Sequence, residues 1–413
     1  MKTVIMAGGK GTRISSIASD IPKPMIRISD KPVLQLEIES LSRQGMADFI
    51  ITISHLGNVI RDYFGDGSRF GVHIEYYNEE RPLGNAGALY ELKDKLTEDF
   101  LLINGDVLFD IDVKRMIDYH NMKNGLVTLF THPNSHPYDS GLIIAGQDNC
   151  VEKWLAKEDE RPVYYKNRVN AGIHILSPVV LKERPDKEKI DLDRDILKPL
   201  CGTGKMFAYD STEYVKDMGT PERYKEVSED YLSGKVERRS LSHSQKAIFL
   251  DRDGTINRYV GFLRDIDQFE LLPNASEAIK KINRSDYLAI VVTNQPVIAR
   301  GEVTFKELDG IHNKMETLLG KEGAYLDATY FCPHHPDSGF EGEVKELKID
   351  CDCRKPKPGM LLKAAKDYNI DLSASYMIGD SENDMRAGSA AGCKCIRIDR
   401  DGDLLEAVSE ILD

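Results

Sequence analysis

Residues 247–257 read AIFLDRDGTIN, an apolar run followed directly by two aspartates, Asp251 and Asp253. A short apolar run that ends in a polar turn is typical of a buried strand, and carboxylates at strand ends lie where open α/β sheets bind ligands. The two like charges need a cation or a bound proton between them. This pattern predicts a Mg²⁺ site in which Asp251 attacks phosphorus and Asp253 is the general acid and base. A calcium-type or solvated acidic turn is the alternative.

Apolar runs alternate with amphipathic stretches on both sides of this segment, which predicts mostly parallel sheets covered by helices. Strands are predicted at 2–7, 49–54, 100–104, 126–131, 247–250, 288–293, 328–331, 376–378 and 395–398. Helices are predicted at 31–44, 87–96, 113–123, 275–283 and 305–319, and from Pro358 onward. The pattern pauses in a polar, charged stretch, SGKVERRSLSHSQ at 233–245, which we interpret as a linker between two domains.

The composition is ordinary for a soluble globular protein and leaves small anionic substrates possible. The chain has 413 residues and a hydrophobic content of 41%. Its formal net charge of −13 argues against a nucleic-acid partner, because a negatively charged protein repels the phosphate backbone. No stretch reaches the roughly 18 apolar residues of a membrane helix, and the first six residues are too short and polar for a signal peptide. We therefore expect a cytoplasmic protein without a membrane partner. An oligomer is compatible with the sequence.

Several polar motifs follow the predicted strands of the N-terminal half. Residues 7–13 read AGGKGTR, and such a glycine-rich turn lets backbone N–H groups approach a phosphate, although a plain structural turn is the alternative. Lys23 stands between two prolines, which suits a charge held stiffly against a phosphate. Two carboxylates are candidate ligands at strand ends, Asp106 in NGD and Asp217 in DMGTP.

These motifs resemble the sugar-1-phosphate nucleotidyltransferases, especially the branch that makes GDP-mannose and GDP-heptose. The resemblance covers about residues 1–230, through AGGKGTR, PKPM, PLGNAGAL, NGDVLFD, NAGIHIL and DMGTP in order. It implies a Rossmann-like fold in which Arg13 and Lys23 neutralise transition-state charge and Asp106 and Asp217 hold Mg²⁺. The nucleotide and sugar contacts that it implies are Gly8, Gly9, Gly11, Gly84, Asn85, Lys157, Asn170 and Gly172. The family's Glu-Lys pair is only half present, because Ala156 precedes Lys157, and Lys153 competes for this role.

Further residues of the C-terminal half complete a known pattern around Asp251. Thr293 and Asn294 end a predicted strand, Lys355 lies in CRKPKPGM, and Asp380 ends another strand in IGDS. Together they resemble the haloacid-dehalogenase phosphatase superfamily over about residues 246–413. The resemblance implies an aspartyl-phosphate on Asp251, with Thr293 and Lys355 gripping the phosphate, and Asn294 is a further candidate for contacting the phosphate or the substrate. It also implies a Mg²⁺ site made by Asp251, Asp253 and Asp380.

Cysteines and a histidine cluster in the same half, in CPH at 332–334 and CDC at 351–353. Three thiolates and an imidazole, from Cys332, His334, Cys351 and Cys353, would make a closed Zn²⁺ site. His335 competes with His334, and free buried cysteines are the alternative. Because a single residue, Arg354, separates the second pair from Lys355, we interpret the zinc as structural and expect it to hold that lysine in position.

The zinc motif together with DRDGTIN resembles the heptose 1,7-bisphosphate 7-phosphatases and the related histidinol-phosphate phosphatases. Pro296 and Val297 replace the Ser-Gly that the heptose enzymes carry, which bears on substrate preference. Arg300 and Arg354 are the candidates for gripping the distal phosphate.

The fusion predicts consecutive steps, because removal of the 7-phosphate yields a heptose 1-phosphate, the acceptor for nucleotidyl transfer. The resemblance implies GTP as donor and GDP-D-glycero-α-D-manno-heptose as product. Alternatives are another sugar 1-phosphate or nucleotide, a histidinol-phosphate-type phosphatase, and a non-catalytic sugar-nucleotide sensor that regulates the phosphatase. The predicted fold class is α/β, with two separate Rossmann-like three-layer α/β/α domains at 1–232 and 246–413, the second with the zinc-binding loop.

Overall fold

A computed structural model describes residues 1–8, 21–146, 148–339 and 341–413. The chain divides into two compact units, which do not follow a single cut. The first comprises Met1–His132, Gly141–Leu155 and Asn170–Ser240, and the second comprises Pro133–Ser140, Ala156–Val169 and Leu241–Asp413.

The first unit is built on a nine-stranded sheet. The strands from the N-terminus to residue 217 are β1 (Thr3–Met6), β2 (Arg27–Ile28), β3 (Lys31–Pro32), β4 (Asp48–Ile53), β5 (His73–Asn78), β6 (Phe100–Asn104), β7 (Val107–Asp110), β8 (Val127–His132), β9 (Leu142–Ala145), β10 (Val151–Leu155), β11 (Val169–Leu176), β12 (Met206–Asp210) and β13 (Tyr214–Asp217). The helices are α1 (Val33–Ser42), α2 (Gly57–Phe64), α3 (Gly87–Glu91), α4 (Val113–Lys123), α5 (Pro221–Leu232) and α6 (Lys235–Arg238).

The main path of this sheet runs β10-β9-β11-β6-β1-β4-β5, and β8 pairs with β11 and β12. β1 is parallel to β4 and β6, whereas β11 is antiparallel to β6, so the sheet is mixed. Successive residues of β1 enter different cores: Ile5 packs with α1 and α2, and Val4 packs with α3. This alternation is the normal consequence of the strand repeat and gives a three-layer arrangement.

The second unit contains a five-stranded sheet of order β16-β15-β14-β17-β18 in which every pair is parallel. Its strands are β14 (Lys246–Leu250), β15 (Tyr287–Asn294), β16 (Ala328–Cys332), β17 (Tyr376–Gly379) and β18 (Lys394–Arg397). Its helices are α7 (Ala275–Arg284), α8 (Phe305–Lys321), α9 (Gly359–Tyr368), α10 (Glu382–Ala391) and α11 (Leu404–Leu412). One core packs α7, α8 and α11 on the sheet, and the other packs α9 and α10. The predicted α/β class with two Rossmann-like units is confirmed.

Two stretches depart from the predicted organisation. The stretch 233–245, predicted as a linker, contains α6 and buries Val236 and Leu241, the two apolar side chains of an otherwise polar segment. Within the second unit, part of the stretch 156–169 packs on α8. The Tyr165 N–H donates to Thr317 Oγ1 at 2.8 Å, and the Asn167 N–H donates to Glu316 Oε2 at 2.7 Å. In the described residues, no helix combines the length and apolar character needed to cross a membrane.

Candidate functional site

Three buried carboxylates meet at the carboxyl end of the second unit's sheet. Asp251 follows β14, Asp380 follows the neighbouring strand β17, and Asp384 lies in the first turn of α10. The carboxyl ends of adjacent parallel strands meet at one edge, which explains why residues so distant in sequence come together. One oxygen from each carboxylate lies within 4.8 Å of the others, a donor set that fits Mg²⁺.

Lys355 supplies the positive charge of this cluster. Its Nζ lies 2.7 Å from Asp251 Oδ1, 2.5 Å from Asp384 Oδ1 and 2.7 Å from the carbonyl oxygen of Val292. Burial would lower the pKa of Lys355, but Asp251 and Asp384 outweigh burial and raise it, so the ammonium stays charged. Burial raises the pKa of Asp251 to about 7, with Lys355 opposing the rise and Asp384 adding to it. A metal ion would add the further positive charge that three carboxylates require.

Asp253 does not join this carboxylate cluster, contrary to its predicted place in the Mg²⁺ site. Its Oδ1 accepts from Arg252 at 2.9 Å and from Asn257 at 3.1 Å, and its Oδ2 accepts from Arg252 and Gln295, both at 2.8 Å. Burial would raise the pKa of Asp253, but these donors, Arg252 above all, lower it. The metal candidate that sequence reasoning missed is Asp384, whose signal was its position four residues after Asp380.

A pocket of about 220 Å³ opens over these groups. Both Asp251 and Asp253 line it, with Thr293, Lys355 and Asp380. Its walls are formed by polar, aliphatic, aromatic and cationic side chains, which include Tyr259, Phe262, Asn294, Gln295, Pro296, Val297, Arg354, Ser381, Asn383 and Arg400. The Asp251 nucleophile and the Asp253 acid predicted from the sequence therefore face one small space.

The two residues predicted to bind the distal phosphate, Arg300 and Arg354, have different surroundings in the structure. Arg354 lines the pocket, whereas the guanidinium of Arg300 lies 4.3 Å from the ring centroid of Phe262 and its Nε donates to Glu302 at 2.9 Å. Arg400, which sequence reasoning missed, lies 3.9 Å over the ring of Tyr259 and donates to Asp380 at 2.7 Å. No local motif marks Arg400, because its place depends on the loop after β18.

The loop that carries Lys355 is tied to the end of β15. The side chain of Asn294 accepts from the Lys355 N–H at 3.0 Å and donates to the Lys355 carbonyl at 2.9 Å. Thr293 is 1% exposed, and its Oγ1 accepts from Gln295 at 2.8 Å. Asn294 thus positions the lysine, a role more specific than the general phosphate contact that was predicted.

Four predicted zinc ligands come together beside this loop. Cys351 Sγ lies 3.5 Å from Cys332 Sγ and 3.3 Å from Cys353 Sγ, and His334 Nδ1 lies 3.3 Å from Cys353 Sγ. A tetrahedral ion with Zn–S bonds of about 2.3 Å requires sulfur separations of roughly 3.8 Å, so the set could hold zinc after small shifts. Arg354 donates to the carbonyl oxygen of His334 at 3.2 Å, which connects the cluster to the pocket wall.

In the first unit, Asp106 and Asp217 lie at neighbouring strand ends, and Lys23 contacts Asp106. β7 and β13 pair so that Asp217 is opposite Val107, the residue after Asp106. Lys23 opens a 3₁₀ turn, and its ammonium forms an ion pair with Asp106. Burial would raise the pKa of Asp217, but Arg223, whose guanidinium lies 2.8 Å away, and the Gly219 N–H lower it. Two carboxylates beside a lysine fit a Mg²⁺–phosphate site.

A buried glutamate that sequence reasoning missed lies beneath this site. Glu37 is fully buried in α1, and its Oε1 accepts the Val107 N–H at 3.2 Å. Burial raises the pKa of Glu37 well above its ordinary value, and Asp106 adds to the rise. The only sequence signal was a glutamate on the apolar face of a predicted helix.

The predicted nucleotide and sugar contacts have several structural roles. Gly84 has φ +86°, and a Cβ there would lie 2.2 Å from the Ile190 carbonyl oxygen, so its backbone geometry requires glycine. Asn85 accepts the Leu192 N–H at 2.7 Å. Gly172 also has a left-handed φ, +75°, and its N–H donates to Asn170 Oδ1 at 3.3 Å.

The remaining contacts predicted for the first unit are located as follows. Gly8 follows β1, and its carbonyl accepts from Ser54. Lys157 is exposed, lies beside Glu158, and falls in the stretch grouped with the second unit. Gly9, Gly11 and Arg13 lie outside the described residues.

Comparisons with known proteins place both parts of the chain. Residues 2–234 match the nucleotidyl transferase family and residues 352–405 match the HAD-hydrolase-like family. Over 151 residues the chain is 44% identical to the D-glycero-β-D-manno-heptose-1,7-bisphosphate 7-phosphatase of Yersinia pestis, covering 37% of this chain and 78% of that protein.

Solved structures are similar to just over half of this chain. HddC from Yersinia pseudotuberculosis covers 56% of this chain and 99% of its own, with 28% identity and a TM-score of 0.49. A protein from Bacillus anthracis assigned as a glucose-1-phosphate thymidylyltransferase, solved with sucrose, covers 56% of this chain and 96% of its own, with 20% identity and a TM-score of 0.50. The second likeness concerns the fold alone. The chain belongs to the nucleotidyl transferase family, and its C-terminal part belongs to the family of the heptose-1,7-bisphosphate 7-phosphatases.

Proposed function

We propose that this chain removes the 7-phosphate of D-glycero-D-manno-heptose 1,7-bisphosphate and then transfers a nucleotidyl group, GMP from GTP, to the resulting heptose 1-phosphate. One observation carries the proposal: Asp251 and Asp253 line a single pocket with Lys355 and Asp380, in a part of the chain that shares its family with heptose-bisphosphate phosphatases. The nucleotidyl transferase family of the remaining chain supplies the second step.

Each bond change and proton transfer of the first reaction can be assigned to a residue of the pocket. An oxygen of Asp251 forms a bond to phosphorus, the ester P–O bond breaks, and the sugar oxygen takes its proton from the Asp253 carboxyl group, which must bind that proton before the step because Arg252 favours its ionised form. Water then attacks phosphorus, returns a proton to Asp253 and displaces Asp251. Lys355 stabilises the added negative charge, since its ammonium already lies 2.7 Å from the attacking carboxylate.

The second reaction needs positioning and charge more than covalent help. An oxygen of the sugar 1-phosphate attacks the α-phosphorus of the nucleoside triphosphate, and pyrophosphate leaves. Lys23 and the carboxylates of Asp106 and Asp217 support this step in the proposal, with Arg13 and the glycines of the first loop on the phosphates. Mg²⁺, when bound at either pair of strand ends, supplies charge neutralisation for phosphate oxygens.

The two steps fit in one order, because the product of the first is the acceptor of the second. The relatives of the C-terminal part act on the β-anomer by name, whereas the guanylyltransferase resemblance points to the α-anomer. Both anomers therefore belong in the test. We assign catalysis to residues 1–232 and 246–413. Because nucleoside triphosphates are held inside cells, we also propose a cytoplasmic location.

Zinc at the cysteine cluster is proposed to be structural, and its removal is expected to lower phosphatase kcat/KM by about 10- to 100-fold. The reason is that Arg354 is tied to the His334 carbonyl and leads directly into Lys355. Chelation and the Cys351→Ser variant should release one zinc per chain by elemental analysis and lower the Tm of the phosphatase part.

Two controls keep the zinc prediction sharp. Cys150→Ser, in the first unit and outside the cluster, should retain zinc and activity. Mn²⁺ affinity, measured by electron paramagnetic resonance, should be unchanged in the Cys351→Ser variant. A zinc-free protein with normal turnover and Tm would refute the structural role.

Arg354→Ala is expected to raise the KM for the bisphosphate about tenfold, because Arg354 lines the pocket and a guanidinium pairs well with a distal phosphate. Arg300→Ala is the matched variant and should change KM less than twofold, since Arg300 stacks on Phe262 and pairs with Glu302. The KM for heptose 7-phosphate, which lacks the distal phosphate, should not respond to either change. A larger effect of Arg300→Ala would reverse the assignment.

The proposed function is tested by incubating the protein with Mg²⁺, either anomer of the heptose 1,7-bisphosphate and an equal mixture of four nucleoside triphosphates, with products identified by mass. A GDP-heptose peak would support both steps and their order. Heptose monophosphate without a nucleotide-sugar would refute the proposed transferase step, and an untouched bisphosphate would refute the heptose assignment. A panel with histidinol phosphate and hexose 1-phosphates then identifies the substrates.

A further inference from the structure

Arg252, between the two aspartates of the phosphatase pocket, is the largest fully buried side chain of the described residues. Its guanidinium contacts both oxygens of Asp253, at 2.9 and 2.8 Å, and Gln295 Oε1, at 3.0 Å. The remaining terminal nitrogen, Nη1, lies 3.3 Å from His312 Nε2. Three separate elements therefore fix the guanidinium: the loop after β14, the loop after β15, and helix α8.

His312 acts as the acceptor of this arrangement. Burial lowers the pKa of His312 to about 3, with Arg252 adding to the effect, so the imidazole is neutral and its Nε2 can accept an N–H. The ring packs against Phe331 with centroids 5.6 Å apart, which holds its orientation. Without this acceptor, the buried Arg252 Nη1 would lose its contact with His312, and helix α8 would no longer help to fix the guanidinium.

The far side of Asp253 is open to the pocket, because Asp253 is one of the residues that line it. General acid catalysis requires the donor within hydrogen-bond reach of the leaving oxygen, and a shift of about 1 Å can cost 100-fold in rate. We propose that Arg252, braced by His312, is a positioning residue that sets the direction of the Asp253 carboxyl group toward the leaving oxygen. This inference rests on the acid role of Asp253 in the proposed function.

Substrates with different leaving groups distinguish two possible roles of Arg252 and His312: positioning the acid, or holding the pocket together in general. A sugar alcohol must be protonated as it leaves, whereas p-nitrophenol leaves as a stable anion and needs little acid help. The value of kcat/KM reports only the steps up to the first irreversible one, which is here the transfer of the phosphoryl group to Asp251. Loss of a well-placed acid should therefore lower kcat/KM for heptose bisphosphate and spare kcat/KM for p-nitrophenyl phosphate.

His312 offers the cleanest variants, because it touches neither substrate nor a metal ligand. We expect His312→Leu to lower kcat/KM for the bisphosphate about tenfold and that for p-nitrophenyl phosphate less than twofold. His312→Gln, whose amide oxygen can accept the Arg252 N–H, should restore most of the loss. Met315→Leu, a buried change on the same helix, should leave both substrates unchanged. Arg252→Lys, which keeps the charge and loses the fork, should resemble His312→Leu.

Asp253→Asn calibrates the experiment and separates two failures. If Asp253→Asn does not lower the bisphosphate value selectively, the acid role of Asp253 fails and the proposed function must change. If Asp253→Asn is selective while His312→Leu and Arg252→Lys lower both substrates equally, or neither, the positioning role is refuted. Melting temperatures of all variants identify any that fail to fold. If a variant fails to fold, the comparison of the two substrates is made with His312→Gln instead.

Discussion

Replacement of Asp251 by asparagine is expected to lower heptose-bisphosphate phosphatase turnover on the order of 10⁴-fold, because an amide cannot attack phosphorus. The change is nearly isosteric. Lys355 keeps Asp384 and the Val292 carbonyl as partners, so we expect the variant to fold with a Tm close to that of the unaltered protein. Phosphate release from the bisphosphate under saturating Mg²⁺ gives the direct measurement.

The same variant tests the independence of the two activities. Pyrophosphate release from heptose 1-phosphate and GTP should stay within twofold, since Asp251 belongs to the second unit alone. In the unaltered protein, acid-quenched samples should carry one phosphoryl group on the peptide that contains residue 251, and the variant should not. Asp403→Asn, at a helix N-cap where asparagine serves as well as aspartate, is the matched control. Retained turnover in Asp251→Asn would mean that another group is the nucleophile.

The parts of the site that the sequence predicted are those fixed by strand ends. An apolar run followed by a carboxylate is a local signal, and parallel pairing of β14 with β17 brings Asp251 and Asp380 together without further information. The spacing of the four zinc ligands is likewise local, and the structure gathers them as expected.

Side-chain direction was not predictable in the same way. The spacing of Asp251 and Asp253 suggested two ligands of one metal, but both carboxylate oxygens of Asp253 accept hydrogen bonds from the buried Arg252. The partner that fixes this arginine, His312, is on a helix 60 residues later, and no sequence feature near position 252 indicates this contact. The same limit explains Arg400, which reaches the pocket from the loop after the last strand.

Packing also gives some residues of the predicted motifs a structural role that differs from the predicted one. Gly84 was assigned to nucleotide or sugar binding, yet the Ile190 carbonyl alone excludes any side chain there. The chain alternation predicted one boundary near residue 240, whereas two earlier stretches cluster with the second unit. Backbone hydrogen bonds to Glu316 and Thr317 hold one of them, and a polar, irregular segment gives no sequence signal for such pairing.

Lys23→Met is expected to lower nucleotidyl transfer on the order of 10³-fold, about 4 kcal/mol of transition-state stabilisation. Lys23 is mostly buried, with 14% of its side chain exposed, and it pairs with Asp106, so its charge acts where water screens little. Initial rates of pyrophosphate release with GTP and heptose 1-phosphate measure the loss, and phosphatase activity serves as the internal control. Lys31→Met is the matched variant, because Lys31 pairs with Glu39 near the surface, and it should retain its rate within twofold.

A double-mutant cycle that combines Lys23→Met with Asp106→Asn determines whether the two side chains are energetically coupled. Each single change removes part of the same proposed charge pattern, in which the lysine would face developing phosphate charge and Asp106 with Asp217 would hold Mg²⁺. If the two side chains cooperate, the double variant should lose much less than the product of the two single losses. Multiplicative losses would mean that Lys23 acts on phosphate independently of the carboxylate it pairs with. An unchanged rate in Lys23→Met would remove it from the catalytic machinery and leave the neutralising role to Arg13.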